Sequence, residues 1–305
     1  MEQIQLRNDT YVFRDLEVYR VAKRRLANRQ GKLRILSFGC SVGDEIVTLR
    51  MLFPKAEIVG CDINPAILET AKKSVGHLAT IIMSDEAALH ALGPFDFISC
   101  MSVLCLNPKP KGPAPNDFTT LFPVQKFDDM LGLLDSLLVP NGLLALTNTS
   151  YRFHESPVYE GYDPVRSDII WRNGTVDVMA RDGSPQLIQG RGYRIGKGFS
   201  VRDDEELADS IFEKRVGNVR QIHWVVMAPV PDNVIPAYSY ERGSNDVWSP
   251  VPADSLTYIF RYEFGHDSAT GSGGVIVTRR WKSLAHGAEH IRPPVWSVQL
   301  MDALK

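Results

Sequence analysis

The stretch Leu33-Arg34-Ile35-Leu36-Ser37-Phe38-Gly39-Cys40-Ser41-Val42-Gly43-Asp44-Glu45, with its continuation Glu57-Ile58-Val59-Gly60-Cys61-Asp62-Ile63-Asn64, decides the fold. The run Leu33–Phe38 reads as a strand, and the small residues after it as a tight turn. An apolar helix follows from about Gly43 to Phe53 and stops before Pro54. Glu57–Asp62 is a second strand that ends in a carboxylate. A buried strand delivers the turn, small residues let backbone amides approach a ligand, and the acid can accept hydrogen bonds from ribose hydroxyls. The unit reads as a nucleotide pocket at the carboxyl ends of parallel strands.

Three ligand chemistries compete for the turn. A dinucleotide fold needs Gly-x-Gly-x-x-Gly, and counting from Gly39 the third glycine falls on Asp44. A carboxylate there, beside Glu45, faces a pyrophosphate across a helix N-terminus where anions bind, which argues against that ligand. Gly39-Cys40-Ser41-Val42-Gly43 also matches the Gly-x-Ser-x-Gly elbow of serine hydrolases, but only one strand precedes Ser41 and no His-Gly-Gly stretch supplies an oxyanion donor. In the third reading the turn resembles motif I of class I S-adenosylmethionine-dependent methyltransferases, Gly-x-Gly-x-Gly, with Ser41 in place of the middle glycine. That ligand carries no phosphate but a sulfonium and a zwitterion, so acids near the turn are tolerated, and they suit the helix N-terminus.

The following segments alternate strand and helix, which argues for a parallel α/β sheet. Asn64-Pro65 supplies an N-cap and a first-turn proline for a helix over 66–75. Ala79–Met83 reads as strand three and Ala87–Leu92 as a short helix, which Gly93-Pro94 ends. Phe95–Met101 is strand four. A Pro-rich loop over 107–116 reads as a stiff surface segment that could serve as an acceptor lid. A helix over Phe127–Leu138, a Val139-Pro140-Asn141-Gly142 turn and strand five over Leu143–Thr149 complete the series.

These landmarks extend the resemblance over about 115 residues. It implies a Rossmann-like doubly wound α/β sheet, mostly parallel, with a terminal antiparallel hairpin. It implies S-adenosyl-L-methionine as cofactor, with S-adenosyl-L-homocysteine as product. Gly39, Cys40, Ser41 and Gly43 would form the cofactor turn, Asp62 would bind the ribose and Ile63 would flank the adenine. Ser84 and Asp85 would meet the adenine amino group, and Cys100 and Met101 would line the methyl-transfer site. Phe38–Glu45 and Phe95–Leu104 are similar to chemotaxis-receptor glutamate methyltransferases, which carry Cys-Ser-Thr-Gly-Glu-Glu and Phe-Asp-x-Ile-x-Cys-Arg-Asn-Val-Leu. Met101-Ser102 stands here for Arg-Asn, so the likeness is one of cofactor-site style and does not extend to the substrate. Ser37 stands where the family often has an acid.

The 305 residues suit one large domain or two smaller ones, and 44% hydrophobic residues suffice for a substantial core. A net charge of −2 gives no global attraction for nucleic acid or anionic membrane. No apolar run reaches a membrane-spanning length, and the polar N-terminus does not read as a signal peptide. Lys23-Arg24-Arg25 reads as a solvated face of an N-terminal helix over Phe13–Ala27. Cys40, Cys61, Cys100 and Cys105 show no CxxC pair and read as buried free thiols in a reducing, cytoplasmic compartment. No cluster has metal-ligand spacing.

The expected organisation is an N-terminal helix in 1–31, a cofactor-binding core in 32–150, a β-rich insertion that caps the substrate in 151–200, and the rest of the core sheet with loops in 201–305. Within these parts, Asn173-Gly174 and Asp182-Gly183 mark hairpins. Asp203–Val216 reads as a helix with an acidic first turn, Gln221–Ala228 as a strand, and Leu256–Glu263 with Gly274–Trp281 as a long hairpin. Tyr151, His154 and His223 are the candidate catalytic bases, each with a packing role as the alternative. Tyr11, Phe13 and Tyr19 are candidates to close the cofactor pocket. The expected reaction is methyl transfer to an O or N atom of a small organic acceptor, without nucleic acid or membrane as partner and with a homodimer left open. The alternatives are methylation of protein carboxylate side chains and a non-catalytic cofactor-binding scaffold.

Overall fold

A computed structural model describes residues 10–12, 14, 16–106, 118–167, 178–186, 211–217, 219 and 223–225 of one compact unit, which spans 1–226. In a second unit, 227–305, it describes five strands. The helices are α1 (Leu16–Arg25), α2 (Asp44–Leu52), α3 (Pro65–Val75), α4 (Glu86–Leu92), α5 (Phe118–Leu121) and α6 (Val124–Ser136). The strands of the first unit are β1 (Arg34–Phe38), β2 (Glu57–Asp62), β3 (Thr80–Met83), β4 (Phe95–Met101), β5 (Leu138–Thr147), β6 (Tyr162–Ser167), β7 (Val178–Met179), β8 (Pro185–Gln186), β9 (Ile211–Lys214) and β10 (His223–Val225).

Eight strands form one mixed sheet in the order β10-β6-β9-β5-β4-β1-β2-β3. Strands β1 to β5 run parallel to one another, and β9 lies antiparallel between β5 and β6. The chain builds outward from β1 to β3 on one side and then returns to lay β4 on the other. The strand order therefore reverses between β1 and β4, and a ligand crevice opens outside the carboxyl ends of strands at such a point. The expected Rossmann-like architecture is present. β1, β2 and β4 are almost wholly buried, as parallel strands covered on both faces must be, which is why they read as near-continuous apolar runs.

Local chemistry explains the element ends. Asn64 caps α3, its side chain accepting from the Ala66 and Ile67 amides, with Pro65 in the first turn. Asp85 caps α4 through the Ala88 amide. In β5, Leu138 pairs with Phe95 and Leu143 with Phe97, so the expected 139–142 turn is an excursion within the strand, with Asn141 left-handed at φ 58. The Asp182-Gly183 turn joins β7 to β8, with Gly183 at φ 83.

The helix expected over 203–216 is corrected at its end: Ile211–Lys214 is β9, paired with β5 and β6, and 203–210 lie outside the described residues. The loop at 107–116, the turn at Asn173-Gly174 and Phe13 also lie outside them. In the second unit β11 (Tyr238–Arg242) pairs with β12 (Trp248–Pro252). There β13 (Leu256–His266) and β14 (Gly273–Ser283) form the expected long hairpin, which β15 (Glu289–His290) extends to three strands. The antiparallel neighbour of β5 is β9 and not this hairpin.

Candidate cofactor site

The turn after β1 is a closed hydrogen-bond unit. The amides of Gly39 and Cys40 both donate to the Cys61 carbonyl at 2.8 Å, and the Gly43 amide donates to the Cys40 carbonyl at 3.0 Å. Gly39 and Gly43 have φ of 78° and 98°, and a Cβ on either would strike Val103 or Val75, respectively. Only glycine meets both demands. The sequence reading had these amides approach a ligand; those at 39, 40 and 43 are engaged by the protein's own carbonyls, and the small residues serve backbone geometry and packing. Ser41 is left-handed at φ 49, and its amide donates to Asp62 Oδ2 at 3.0 Å.

Asp62 is the hub. Its Oδ1 accepts from the Asn64 amide at 3.0 Å while Oδ2 accepts from Ser41, and the residue is 9% exposed. Each carboxylate oxygen thus takes one backbone N–H and keeps a lone pair for a further donor. A vicinal diol is such a donor pair. The Ser84 amide donates to the Asp62 carbonyl at 2.9 Å, which brings the end of β3 to the same place. Ile63 follows on β2, half-buried, and Asp85 is exposed with its side chain on the α4 cap. Cys100 and Met101 end β4; Cys100 is wholly buried, and Thr147 Oγ1 donates to Met101 Sδ at 3.6 Å.

A second carboxylate at this turn was not singled out from the sequence as a site residue. Glu45, in the first turn of α2, accepts from Ser37 Oγ and from the Tyr19 hydroxyl, both at 2.7 Å. Ser99 Oγ lies 3.4 Å from that hydroxyl. Burial raises the Glu45 carboxyl above its usual range, against the hydrogen bonds from Ser37, Tyr19 and Ser99 and the positive charge of Arg14. The signal was present in the sequence: Ser37 replaces the acid expected at the end of strand one, and Glu45 is the carboxylate that bonds it. Tyr19 is buried and reaches the turn through this contact, while Tyr11 is exposed.

Arg14, Ser102 and Asn148 form a further polar group at the ends of β4 and β5, and Arg14 and Asn148 were not anticipated. Arg14 Nη2 donates to Ser102 Oγ, and Asn148 Nδ2 donates to the same oxygen at 2.6 Å.

The three expected bases are not brought together. Tyr151 is fully buried against Phe122 and Phe127, and its hydroxyl donates to the Phe122 carbonyl at 2.6 Å. His154 lies in a short 3-10 turn, its ring 6.3 Å from that of Tyr159. His223 is on β10 at the sheet edge, where Arg25 Nη2 lies 3.0 Å from its Nδ1 and Asp163 and Glu213 flank its Nε2. The order of strands sets His223 four places from β4, roughly 19 Å at ordinary strand spacing.

The donor set fits S-adenosylmethionine. Carboxylates at Asp62 and Glu45 suit a diol and a cation, and the acids at 44 and 45 do not suit a pyrophosphate. Among the described residues, no group of His, Cys, Asp and Glu could hold a metal ion, and no helix is long and apolar enough to cross a membrane.

Residues 35–114 match a family model described as a methyltransferase domain. No curated protein matches the chain. Among solved structures, it is similar to the plantazolicin methyltransferase BpumL with a monoazolic desmethylPZN analog and SAH (18% identity, 43% of this chain and 45% of that one, TM-score 0.32). It is also similar to PKMT2 from Rickettsia typhi in complex with AdoHcy (20% identity, 45% and 26%, TM-score 0.33). A third is the precorrin-6y C5,15-methyltransferase from Geobacter metallireducens GS-15 (17% identity, 43% and 61%, TM-score 0.29). The chain spans less than two thirds of the length of each. The match spans the segment from β1 past the end of β4, and S-adenosylmethionine is the cofactor of the methyltransferase domains it resembles.

Proposed function

We propose that the whole chain transfers the methyl group of S-adenosylmethionine to an O or N atom of a small organic acceptor. One observation carries this reading: the Asp62 carboxylate, at the carboxyl end of β2 and one strand from the strand-order reversal, is oriented by two backbone amides with a lone pair left on each oxygen. Asp62 would hold the ribose diol, with Ile63, Ser84 and Asp85 toward the base. The turn of Gly39, Cys40, Ser41 and Gly43 would set the shape of the pocket. Glu45 would supply the negative charge for the cationic methionine end, and Cys100 and Met101 would line the transfer site. The bound cofactor supplies an activated methyl on a sulfonium. The protein's part is to orient the acceptor and exclude water, because a methyl displacement depends chiefly on proximity and alignment.

We place the acceptor side in 151–200. The β7–β8 hairpin is tied to the end of β5 by the Met179 amide, which donates to the Ser150 carbonyl at 2.8 Å. Arg181 pairs with Asp128 on α6 at 2.5 Å. These anchors support a cap over the carboxyl end of the sheet. The expected boundary near residue 200 is moved by β6, which lies within 151–200 yet belongs to the core sheet beside β9, so the cap is confined to the part of the segment around β7 and β8.

Calorimetric titration tests the reading. S-Adenosylmethionine and S-adenosylhomocysteine should bind with micromolar affinity and NAD should not. Absence of binding by both adenosyl ligands would remove it.

A further inference from the structure

Ser102 and Asn148 follow directly on β4 and β5, whose last residues Met101 and Thr147 face each other. Both have left-handed backbones, φ 61° and 55°, although neither is glycine. Such conformations carry a cost and persist where the surroundings impose them, often at ligand sites. The Ser102 amide donates to the Thr147 carbonyl at 2.9 Å, which locks the two strand ends together. The side chains converge as well, since Ser102 Oγ accepts from Asn148 Nδ2 at 2.6 Å and from Arg14 Nη2.

A hydroxyl oxygen has two lone pairs. With both taken by N–H groups, Ser102 can only donate its own proton, whatever receives it. The cluster is therefore a guanidinium, an amide and a donating hydroxyl, and none of these is a base at neutral pH. Among the described candidate bases, the Glu45 carboxylate already takes two hydroxyl protons, the Tyr151 hydroxyl donates to a carbonyl, the His154 ring packs edge-on toward Tyr159 on a 3-10 turn, and His223 sits at the sheet edge. An amine acceptor would arrive as an ammonium beside Arg14 and would have to lose a proton, and an alcohol would need a general base.

We propose that Arg14, Ser102 and Asn148 bind the acceptor, and that the acceptor reacts as an already ionised oxygen, a carboxylate. This rests on the methyl-transfer reading above. The carboxylate oxygen uses a lone pair to form the new C–O bond to the methyl carbon. The methyl–sulfur bond breaks and its electron pair stays on sulfur, which becomes a neutral thioether. A methyl ester forms and no proton moves, so no base is needed.

The purified full chain is incubated with S-[methyl-3H]adenosylmethionine and, in separate arms, a deproteinised small-molecule cell extract and a dialysed protein extract. The products are then treated with mild alkali. A methyl ester releases its label as volatile methanol, whereas N-methyl and methyl ether products retain it. We expect alkali-labile label, with the arm that yields it showing whether the carboxylate belongs to a small molecule or a protein. Asn148→Ala and Ser102→Ala should each lower labelling about tenfold or more while changing S-adenosylmethionine affinity by less than about twofold, the loss expected for a hydrogen bond to a charged group. Alkali-stable label overturns the proposal, and so does absence of labelling in both arms by protein that binds S-adenosylmethionine. Protein that binds neither S-adenosylmethionine nor S-adenosylhomocysteine fails the methyl-transfer reading itself.

Discussion

Asp62 has two tasks that are separable by experiment. It holds the turn through the Ser41 and Asn64 amides, and it offers its remaining lone pairs to the ligand. Asp62→Ala should weaken S-adenosylmethionine binding by about 1.5–3 kcal/mol, the range for hydrogen bonds to a charged group, read as a roughly 10- to 150-fold rise in Kd. Asp62→Asn keeps an acceptor oxygen and should lose less. Glu45 behaves differently, because burial holds its carboxyl above the usual value of 4.5. In the ligand-free protein a carboxyl raised on folding contributes stability that is present below pH 4.5 and lost as pH rises through its folded value. Glu45→Gln should therefore flatten the fall in stability between pH 4.5 and neutrality, measured by urea melts at several pH values, and should weaken S-adenosylmethionine binding. A variant whose pH profile overlays the parent would mean that Glu45 is not strained in the apo state.

Among the elements, α1 is fastened to the far side of the sheet. Arg25 meets Glu213 on β9 through two contacts, 2.5 and 3.0 Å, and Glu213 is largely buried. Removing one partner of a buried pair leaves an unpaired charge at a cost of about 3–5 kcal/mol, and the one-third exposure of the Arg25 side chain reduces this to about 1–3 kcal/mol for Arg25→Ala. Thermal melts of Arg25→Ala, Glu213→Gln and the double variant should show non-additivity, since the two residues touch. The basic run Lys23–Arg25 reads as a solvated face; Arg24 and Arg25 are exposed as expected and Lys23 is half-buried, but the pairing of Arg25 with Glu213 was not legible because that partner lies on a strand far along the chain. The same distinction separates what the sequence discloses from what it hides. Strands β1 to β4 and the cap at Asn64 were legible because each is written in neighbouring residues, as apolar runs and N-cap chemistry, whereas Asp85 was read as a ligand contact and its side chain caps α4. Strand β9 was read as part of a helix because four residues after an acidic run carry no strand signal, and pairing with β5 and β6 decides their state. Asp62 was singled out as a candidate by its place at a strand end. Arg14 and Asn148 were missed because only the fold brings them to Ser102.

For the whole molecule, the four cysteines report on global integrity. Cys40, Cys61, Cys100 and Cys105 are all buried free thiols, and burial pushes Cys61 up to about 12 and Cys40 and Cys100 well above the usual thiol range. Thiolate is the reactive form. Iodoacetamide at pH 8 should leave native protein unmodified over minutes and alkylate all four cysteines in guanidinium chloride, as counted by intact mass. Rapid native labelling would show that the strand ends around the turn open far more often than global unfolding allows.

The position of β9 also has a consequence for synthesis. β9 separates β5 from β6, yet β6 precedes it in the chain, so β6 has no place beside β5 until Ile211–Lys214 has emerged from the ribosome. A nascent chain that ends between Ser167 and Ile211 holds a finished cofactor turn but leaves β5 as an open edge, the kind of surface on which chaperones and neighbouring nascent chains act. The turn after β1 and the strands that hold it can thus mature on the ribosome before the sheet that carries them is sealed.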